Sequence, residues 1–205
     1  MEHPDWSAFM AAILADPDDD TVRLVAADFL EENGDPDRAT FIRIQCELAR
    51  LEAHGAAVSP EADELRKKER AFLGARSVFR LLWAADACPE LVPIKPPPRG
   101  ASPLAMPQVE GAEKLTWRRG FVERVHCPVA EWLRHGAAVR ARQPVRVVSF
   151  STSAHHIARD LWYTNFAALR GLRELWMSAV LPEEGEFVSW LNQQLPGTKV
   201  VGVPF

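Results

Sequence analysis

The first half of the chain repeats apolar residues at intervals of three and four, the spacing that places side chains on one face of a helix. This pattern predicts helices over residues 4–15 and 20–32. Asp35-Pro36 predicts the start of a third helix, because aspartate can cap a helix and proline is tolerated in its first turn. A fourth helical segment is predicted over about 60–85. Short, closely linked helices of this kind favour a small antiparallel bundle.

A proline-rich segment separates this half from a different pattern. Residues 88–111 contain seven prolines, including three in succession at Pro96, Pro97 and Pro98, which remove backbone donors and prevent helix formation. Beyond them the frame apolar-x-x-apolar-x-apolar recurs. Its positions are Val122/Val125/Cys127, Val145/Val148/Phe150, Leu172/Leu175/Met177 and, less regularly, Thr198/Val201/Val203.

These frames begin 23, 27 and 26 residues apart, with helical stretches predicted between them at 128–142, 155–169 and 183–195. A strand-plus-helix unit of about 20 to 29 residues is typical of leucine-rich repeats, which bury their apolar edges by stacking on one another. Another small βαβ sheet would alternate similarly, so that alternative stays open. The asparagine that usually closes the repeat turn is also replaced, by Ala130, Ser153 and Val180.

The fold prediction is therefore mixed α and α/β. It comprises an N-terminal helical module at 1–87, a Pro-rich linker at 88–112, and a short leucine-rich-repeat-like α/β solenoid with parallel strands at 113–205. A chain of 205 residues with 47% apolar residues can bury a core of this size.

Cysteine content and hydropathy bear on the compartment. The three cysteines, Cys46, Cys88 and Cys127, are widely spaced and form no CxxC pair, so neither a disulfide framework nor a zinc knuckle is predicted. No apolar stretch reaches 18 residues. These features predict a cytoplasmic protein with no membrane partner.

Charge is distributed unevenly along the chain. Residues 1–37 carry eleven acids against one base, and residues 114–146 carry eight bases against two acids. The two regions could attract each other or face different partners.

The acidic turn within ADPDDDTVRLVAADFLEENGDP, residues 15–36, has two readings. An EF-hand loop starting at Asp16 would require Gly at position 21 and Glu at 27, where Thr21 and Ala27 stand. We instead expect one of the aspartates at 18–20 to cap the second helix, with the others favoured by its positive end. Farther along this helix, Arg23 and Asp28 are five residues apart, so each is expected to pair across the bundle, for example Asp28 with Arg43.

Residues 9–51 also show a family resemblance. The elements DPDDDTVRLV, AD-x-LEE-x-GDP and FIR-x-QCELA resemble the bacterial repeat-companion domain, an N-terminal module often followed by leucine-rich or other repeats. The later WRRGFVERV, residues 117–125, is similar to the segment that leads into such repeats. Ala26 and Phe29 replace aromatic residues usual in the family. The resemblance implies a binding role and carries no catalytic residues onto this chain.

Candidate chemistry is sparse. His126-Cys127 and His155-His156 could supply metal ligands, but their spacing lacks the helical i, i+4 pair or CxxC hairpin that favours zinc. Serines 149, 151 and 153 lie near these histidines without a GxSxG elbow. Neither GxxxxGK[ST] nor GxGxxG occurs. We predict no catalytic residue, cofactor or metal. An enzyme is therefore a hypothesis that ranks below the two binding functions described next.

The favoured hypothesis is a non-catalytic interaction, scaffold or accessory protein whose strand face binds another protein. The expected contact residues are the solvent-facing strand positions Arg124, His126, Arg146, Ser149, Glu174 and Trp176. The alternative is a nucleic-acid-associated accessory subunit that uses the basic segment 114–146. Its expected contacts are Arg118, Arg119, Arg140 and Arg142. In that alternative Trp117 and Phe121 would stack on bases, whereas in the favoured one they cover the open end of the repeat stack.

Overall fold

The structure is a computed structural model that describes residues 4–74, 77–96, 108–154, 157, 159–178 and 182–203. Helices and a mostly parallel sheet make up the described chain, as the sequence predicts for its fold class. Its eight helices are α1 (Pro4–Ala15), α2 (Asp20–Glu32), α3 (Pro36–Ala53), α4 (Pro60–Leu73), α5 (Val78–Ala87), α6 (Val129–Arg140), α7 (Arg159–Thr164) and α8 (Pro182–Gln194).

Capping side chains set where the N-terminal helices begin. Asp19 caps α2 by accepting a hydrogen bond from the Thr21 amide at 2.8 Å, and Asp35 caps α3 by accepting one from the Arg38 amide at 3.1 Å. These contacts confirm the predicted starts of both helices. The predicted fourth helix is wrong in its extent, because α4 stops at Leu73, before Gly74, and α5 begins at Val78.

The main sheet has five strands, and strands that are neighbours in the sheet are consecutive along the chain. Its strands are β3 (Leu115–Arg118), β4 (Phe121–Cys127), β5 (Val147–Phe150), β6 (Glu174–Ser178) and β7 (Lys199–Val203). The first two form an antiparallel hairpin, and β4 to β7 are parallel, with neighbours in the order of the sequence. The pairing of β1 (Ile94–Lys95) with β2 (Gln108–Val109) is antiparallel and lies within the predicted linker.

The apolar frames mark the buried face of this sheet. Val125, Val148 and Leu175 lie in register on adjacent strands and are fully buried. The fourth frame is wrong by one residue, since Val200 is the buried partner of Leu175. Val201 instead pairs with Trp176 and is only half-buried. The error arises because β7 carries valine on both faces, so alternation does not determine its register.

The core extends across the predicted linker. Phe41 of α3, Ala84 of α5 and Leu91 of the linker belong to the same buried cluster as the apolar face of the sheet. A second cluster between α1, α2 and α3 includes Phe121, the first residue of β4. The β3–β4 hairpin therefore contacts both clusters.

The hairpin turn approaches α3 closely. Arg119 and Gly120 both have positive φ, 51° and 85°, as in the type I′ turns that suit two-residue hairpins. Gly120 donates its amide hydrogen to Gln45 Oε1 at 2.7 Å, and its carbonyl accepts from Arg38 at 2.8 Å. A Cβ atom at this position would lie 2.3 Å from Ile42 Cγ1. Glycine is therefore required here by both conformation and space.

Candidate interaction surface

One face of the main sheet is open to solvent. Side chains alternate between the two faces of a strand, so the residues next to the buried ones point outward. Two rows of register partners cross this open face: Arg124, Val147, Glu174 and Lys199, and then His126, Ser149, Trp176 and Val201. Five of the six predicted partner-binding residues belong to these rows.

A shallow depression of about 240 Å³ lies on the open face. It is lined by Arg124, His126, Ser149, Phe150, Trp176, Met177 and Val203. Polar groups and apolar surface thus meet in one concave site, which is the usual composition of a binding pocket.

Hydrogen bonds fix the side chains around the depression. The Trp176 indole N–H donates to Glu174 Oε2 at 2.9 Å, and this bond lowers the pKa of the Glu174 carboxyl. His126 Nδ1 lies 2.9 Å from Ser149 Oγ, within hydrogen-bond distance. Arg124 is exposed and has no ion pair with any described residue within 4.0 Å. The site therefore combines the Trp176 ring, which is fixed by a hydrogen bond, with the exposed positive charge of Arg124.

The sixth predicted residue, Arg146, contacts the acidic turn of the helical part. Its guanidinium donates to both carboxylate oxygens of Asp18, at 2.6 and 2.7 Å. Asp18 also pairs with Arg119 at 3.1 Å, and Asp20 lies 2.8 Å from Arg119. The acidic and basic regions of the chain therefore contact each other.

The other arginines of the basic segment also have intramolecular partners. Arg118 pairs with Glu52 at 2.8 Å, and Arg142 pairs with Glu90. Arg140 donates to two backbone carbonyls near the end of the 3₁₀ turn that follows α7. None of the four predicted nucleic-acid contacts is an isolated surface cation.

The aromatic residues of this segment lie inside the molecule. Trp117 is 7% exposed and Phe121 is 1% exposed. Trp117 packs edge-on against Phe41, with ring centroids 5.9 Å apart, and Phe121 stacks near Trp6 at 6.4 Å. Rings held in this way cannot stack on nucleic-acid bases without leaving the core.

The remaining sequence candidates are dispersed. Cys127 is buried on the inner face of β4 while His126 points to the open face, and His155-His156 lies outside the described residues. Within the part of the chain that is described, no three His, Cys, Asp or Glu side chains are grouped so as to hold a metal ion. The described helices include none with the length and apolar character needed to cross a membrane.

The predicted ion pair between Asp28 of α2 and Arg43 of α3 is present. Arg43 pairs with Asp28 and with Glu31, each at 2.6 Å; Arg43 is half-buried and both carboxylates are exposed. Arg23, by contrast, has no exposed surface, and it pairs with Glu123 of β4 at 3.0 Å. Its partner is a hundred residues away, so no local pattern could indicate it.

Two features of the surface were not predicted from the sequence. Val203 lines the depression because the register of β7 is shifted from the expected one. A larger cleft beside Arg38 and Trp83 also lies between elements distant in sequence, and no motif marks it.

Comparisons of the chain with protein-family models, with curated protein sequences and with solved structures gave no match. The resemblance to the repeat-companion domain therefore stays a prediction.

Proposed function

We propose that this chain is a non-catalytic interaction protein, a scaffold or accessory subunit, that binds another protein through the open face of its sheet. The observation that carries the proposal is the depression beside Trp176, bordered by Arg124 and His126. Tryptophan and arginine are among the residues that dominate binding energy at protein interfaces.

Pre-organisation supports the same proposal. The hydrogen bond from Trp176 to Glu174 restricts the indole before any partner arrives, which reduces the entropy lost on binding. An apolar side chain of the partner would enter the depression, and an acidic group beside it would meet Arg124. Both contacts would be made on strands, which hold side chains more rigidly than loops do.

The architecture that we propose is a helical repeat-companion module followed by a leucine-rich-like stack. The parallel pairing of β4 to β7 in chain order supports it, as does the row of buried residues from Val125 to Leu175. In such a stack each unit buries its apolar edge against the next, and the strand face is left to bind partners.

Crosslinking from the open face tests this function. A photoreactive phenylalanine analogue placed at Val201, the register partner of Trp176, should give a protein adduct in the cells that make the chain. Trp176→Ala in the same background should abolish the adduct, and Arg124→Glu should weaken it.

The matched control is Tyr163, an aromatic residue of α7 that is 52% exposed and does not line the depression. Tyr163→Ala should leave the Val201 adduct intact, and the analogue placed at position 163 should give no comparable adduct. A Val201 adduct that survives Trp176→Ala together with Arg124→Glu contradicts the proposed site.

Nucleic-acid binding is tested separately by salt titration. Because Arg118, Arg119 and Arg142 already pair with carboxylates, we expect no measurable binding to a fluorescent oligonucleotide at low salt. Binding that falls steeply with ionic strength would instead support the alternative.

A further inference from the structure

A cleft of about 450 Å³ lies between the N-terminal helices and the start of β4, away from the open face of the sheet. Trp6 and Met10 of α1, Trp83 of α5 and Phe121 of β4 form its apolar walls. Its size is that of a small-molecule site, since such pockets usually measure about 300 to 1,000 Å³.

Arg38 places a buried cation in the wall of this cleft. The residue is 8% exposed, and its guanidinium carbon lies 4.6 Å from the Trp117 ring and 4.8 Å from the Trp83 ring. Such contacts compensate part of the cost of removing a cation from water. No carboxylate of the described residues lies within 4.0 Å of it to form an ion pair.

Most of the hydrogen-bonding capacity of Arg38 is unused within the described chain. Nη2 donates to the Gly120 carbonyl at 2.8 Å, and neither Nη1 nor Nε has a partner among the described residues. These two nitrogens are also not among the atoms sealed from solvent. Burial lowers the pKa of Arg38 to about 10, against the opposing effect of Asp35 and Asp86, so the group stays charged at neutral pH.

Gln143 adds a second donor. It is 7% exposed and lines the cleft, and its Oε1 accepts from the Val122 amide at 3.2 Å. Because Oε1 is the acceptor in that bond, the other side-chain atom is the NH₂ donor Nε2. Nε2 has no hydrogen-bond partner among the described residues. Two nearly buried side chains in one cleft therefore offer N–H groups.

We propose that this cleft binds a small organic carboxylate with an apolar body. The carboxylate accepts hydrogen bonds from Arg38 and Gln143, and the body packs on Trp6, Trp83 and Phe121. Charge-assisted bonds of this kind are stronger than neutral ones, and the aromatic walls exclude water from them.

Asp86 gives the proposal a sharp test. It lines the cleft and is exposed, and it contributes a negative charge that opposes an anionic ligand. Replacing it with asparagine should therefore tighten carboxylate binding by roughly two- to fivefold and should not change binding of an uncharged analogue.

The probes are 3-phenylpropanoate, its neutral amide 3-phenylpropanamide, and octanoate. Titration of the intact chain, followed by the indole N–H signals of Trp6 and Trp83 in nitrogen-15 NMR spectra, should show saturable shifts with both carboxylates. The amide should bind at least tenfold more weakly. Glu113→Gln, an exposed acid that does not line the cleft, should behave as the wild type does.

Arg38→Met, which removes the charge, should abolish the preference for the carboxylate over the amide. If that variant does not fold, Asp86→Asn still decides the question, because it removes an exposed charge. Equal affinity for carboxylate and amide would overturn the proposal and leave an apolar cleft only. Absence of saturable shifts at the solubility limit, or no effect of Asp86→Asn on carboxylate affinity, would also overturn it.

Discussion

Gly120 shows how one residue can determine the position of two elements. Its φ of 85° favours glycine, and its backbone lies against Ile42 of α3. Both of its backbone polar groups bond to side chains of the same helix. The hairpin therefore packs on α3 through two hydrogen bonds and through a close backbone approach that is possible only because Gly120 has no side chain.

Gly120→Ala should be strongly destabilising. The positive φ costs about 1 to 2 kcal/mol for a residue with a Cβ, and the overlap with Ile42 adds about 1 to 3 kcal/mol. Urea unfolding measures the change. Gly34→Ala is the matched control, because Gly34 has a similar φ of 87° but no atom within 4 Å of the added Cβ. Equal losses for the two variants would show that the close approach to Ile42 is unimportant.

The three cysteines are buried thiols with no reactive character. Burial raises the pKa of each of them to about 12, and for Cys127 the nearby Glu131 carboxylate adds to the effect. A thiol that stays protonated is a poor nucleophile, so none of the three is suited to covalent chemistry.

This burial predicts how stability depends on pH for Cys127. Below pH 9.0, its ordinary pKa, the thiol is protonated in both the folded and the unfolded state. Its burial then contributes fully to the free energy of unfolding. Between pH 9 and 12 the unfolded thiol loses its proton and the folded thiol keeps it, so the free energy of unfolding falls. Cys127→Ala should reduce that slope by about 1.4 kcal/mol per pH unit, measured by urea unfolding at several pH values. An unchanged slope would contradict the raised pKa.

At the scale of elements, the sheet depends on a row of residues that pair on adjacent strands. Leu175 is the central example, fully buried between Val148 and Val200. Because Leu175 lies in the same buried cluster as Trp132 of α6, Trp162 of α7 and Leu191 of α8, a cavity at this position cannot be filled easily by local collapse.

Leu175→Ala should therefore lower the free energy of unfolding by about 2 to 5 kcal/mol. Leu24→Ala is the control, since Leu24 is 40% exposed on α2, and it should change stability by less than about 0.5 kcal/mol. Thermal or urea unfolding distinguishes the two. A near-neutral effect of Leu175→Ala would be inconsistent with this register.

The elements that sequence predicts best are those with local signals. Capping aspartates define α2 and α3, and apolar frames define β4 to β6. The break after α4 was missed because the apolar stripe continues beyond Gly74. The strand β3 was not predicted because the alternation of apolar and polar residues in Leu115–Arg118 extends over only four residues, which is too short a signal to distinguish a strand. The outward positions of β4 to β6 followed from alternation, whereas the cleft beside Arg38 depends on contacts distant in sequence.

At the scale of the whole molecule, Arg23 joins the helical part to the sheet. Its guanidinium donates to the carbonyls of Pro17 and Arg119 and to Glu123 Oε1. Burial lowers the pKa of Arg23 and raises that of Glu123, since each charge is removed from water. We therefore expect the pair to specify how the helical part fits against the sheet more than it adds stability.

A double-mutant cycle tests this role. Arg23→Met should cost about 3 to 5 kcal/mol, because it leaves the Glu123 carboxylate buried without its main partner. The double variant Arg23→Met with Glu123→Gln should lose less than the sum of the single variants.

Arg43→Met is the comparison, because its ion pairs with Asp28 and Glu31 are exposed and each contributes at most about 1 kcal/mol. Strict additivity in the Arg23 cycle would show that the two groups do not act as a pair. A loss at Arg43 as large as that at Arg23 would contradict the importance of burial.

The distance in sequence between Arg23 and its partners has a consequence for synthesis on the ribosome. Glu123 is made a hundred residues after Arg23, which takes about 5 to 20 seconds at ordinary translation rates. During that interval Arg23 has been synthesised, but the β3–β4 hairpin that supplies its partners Arg119 and Glu123 has not. The N-terminal helices should therefore reach their final packing only after β4 has left the exit tunnel.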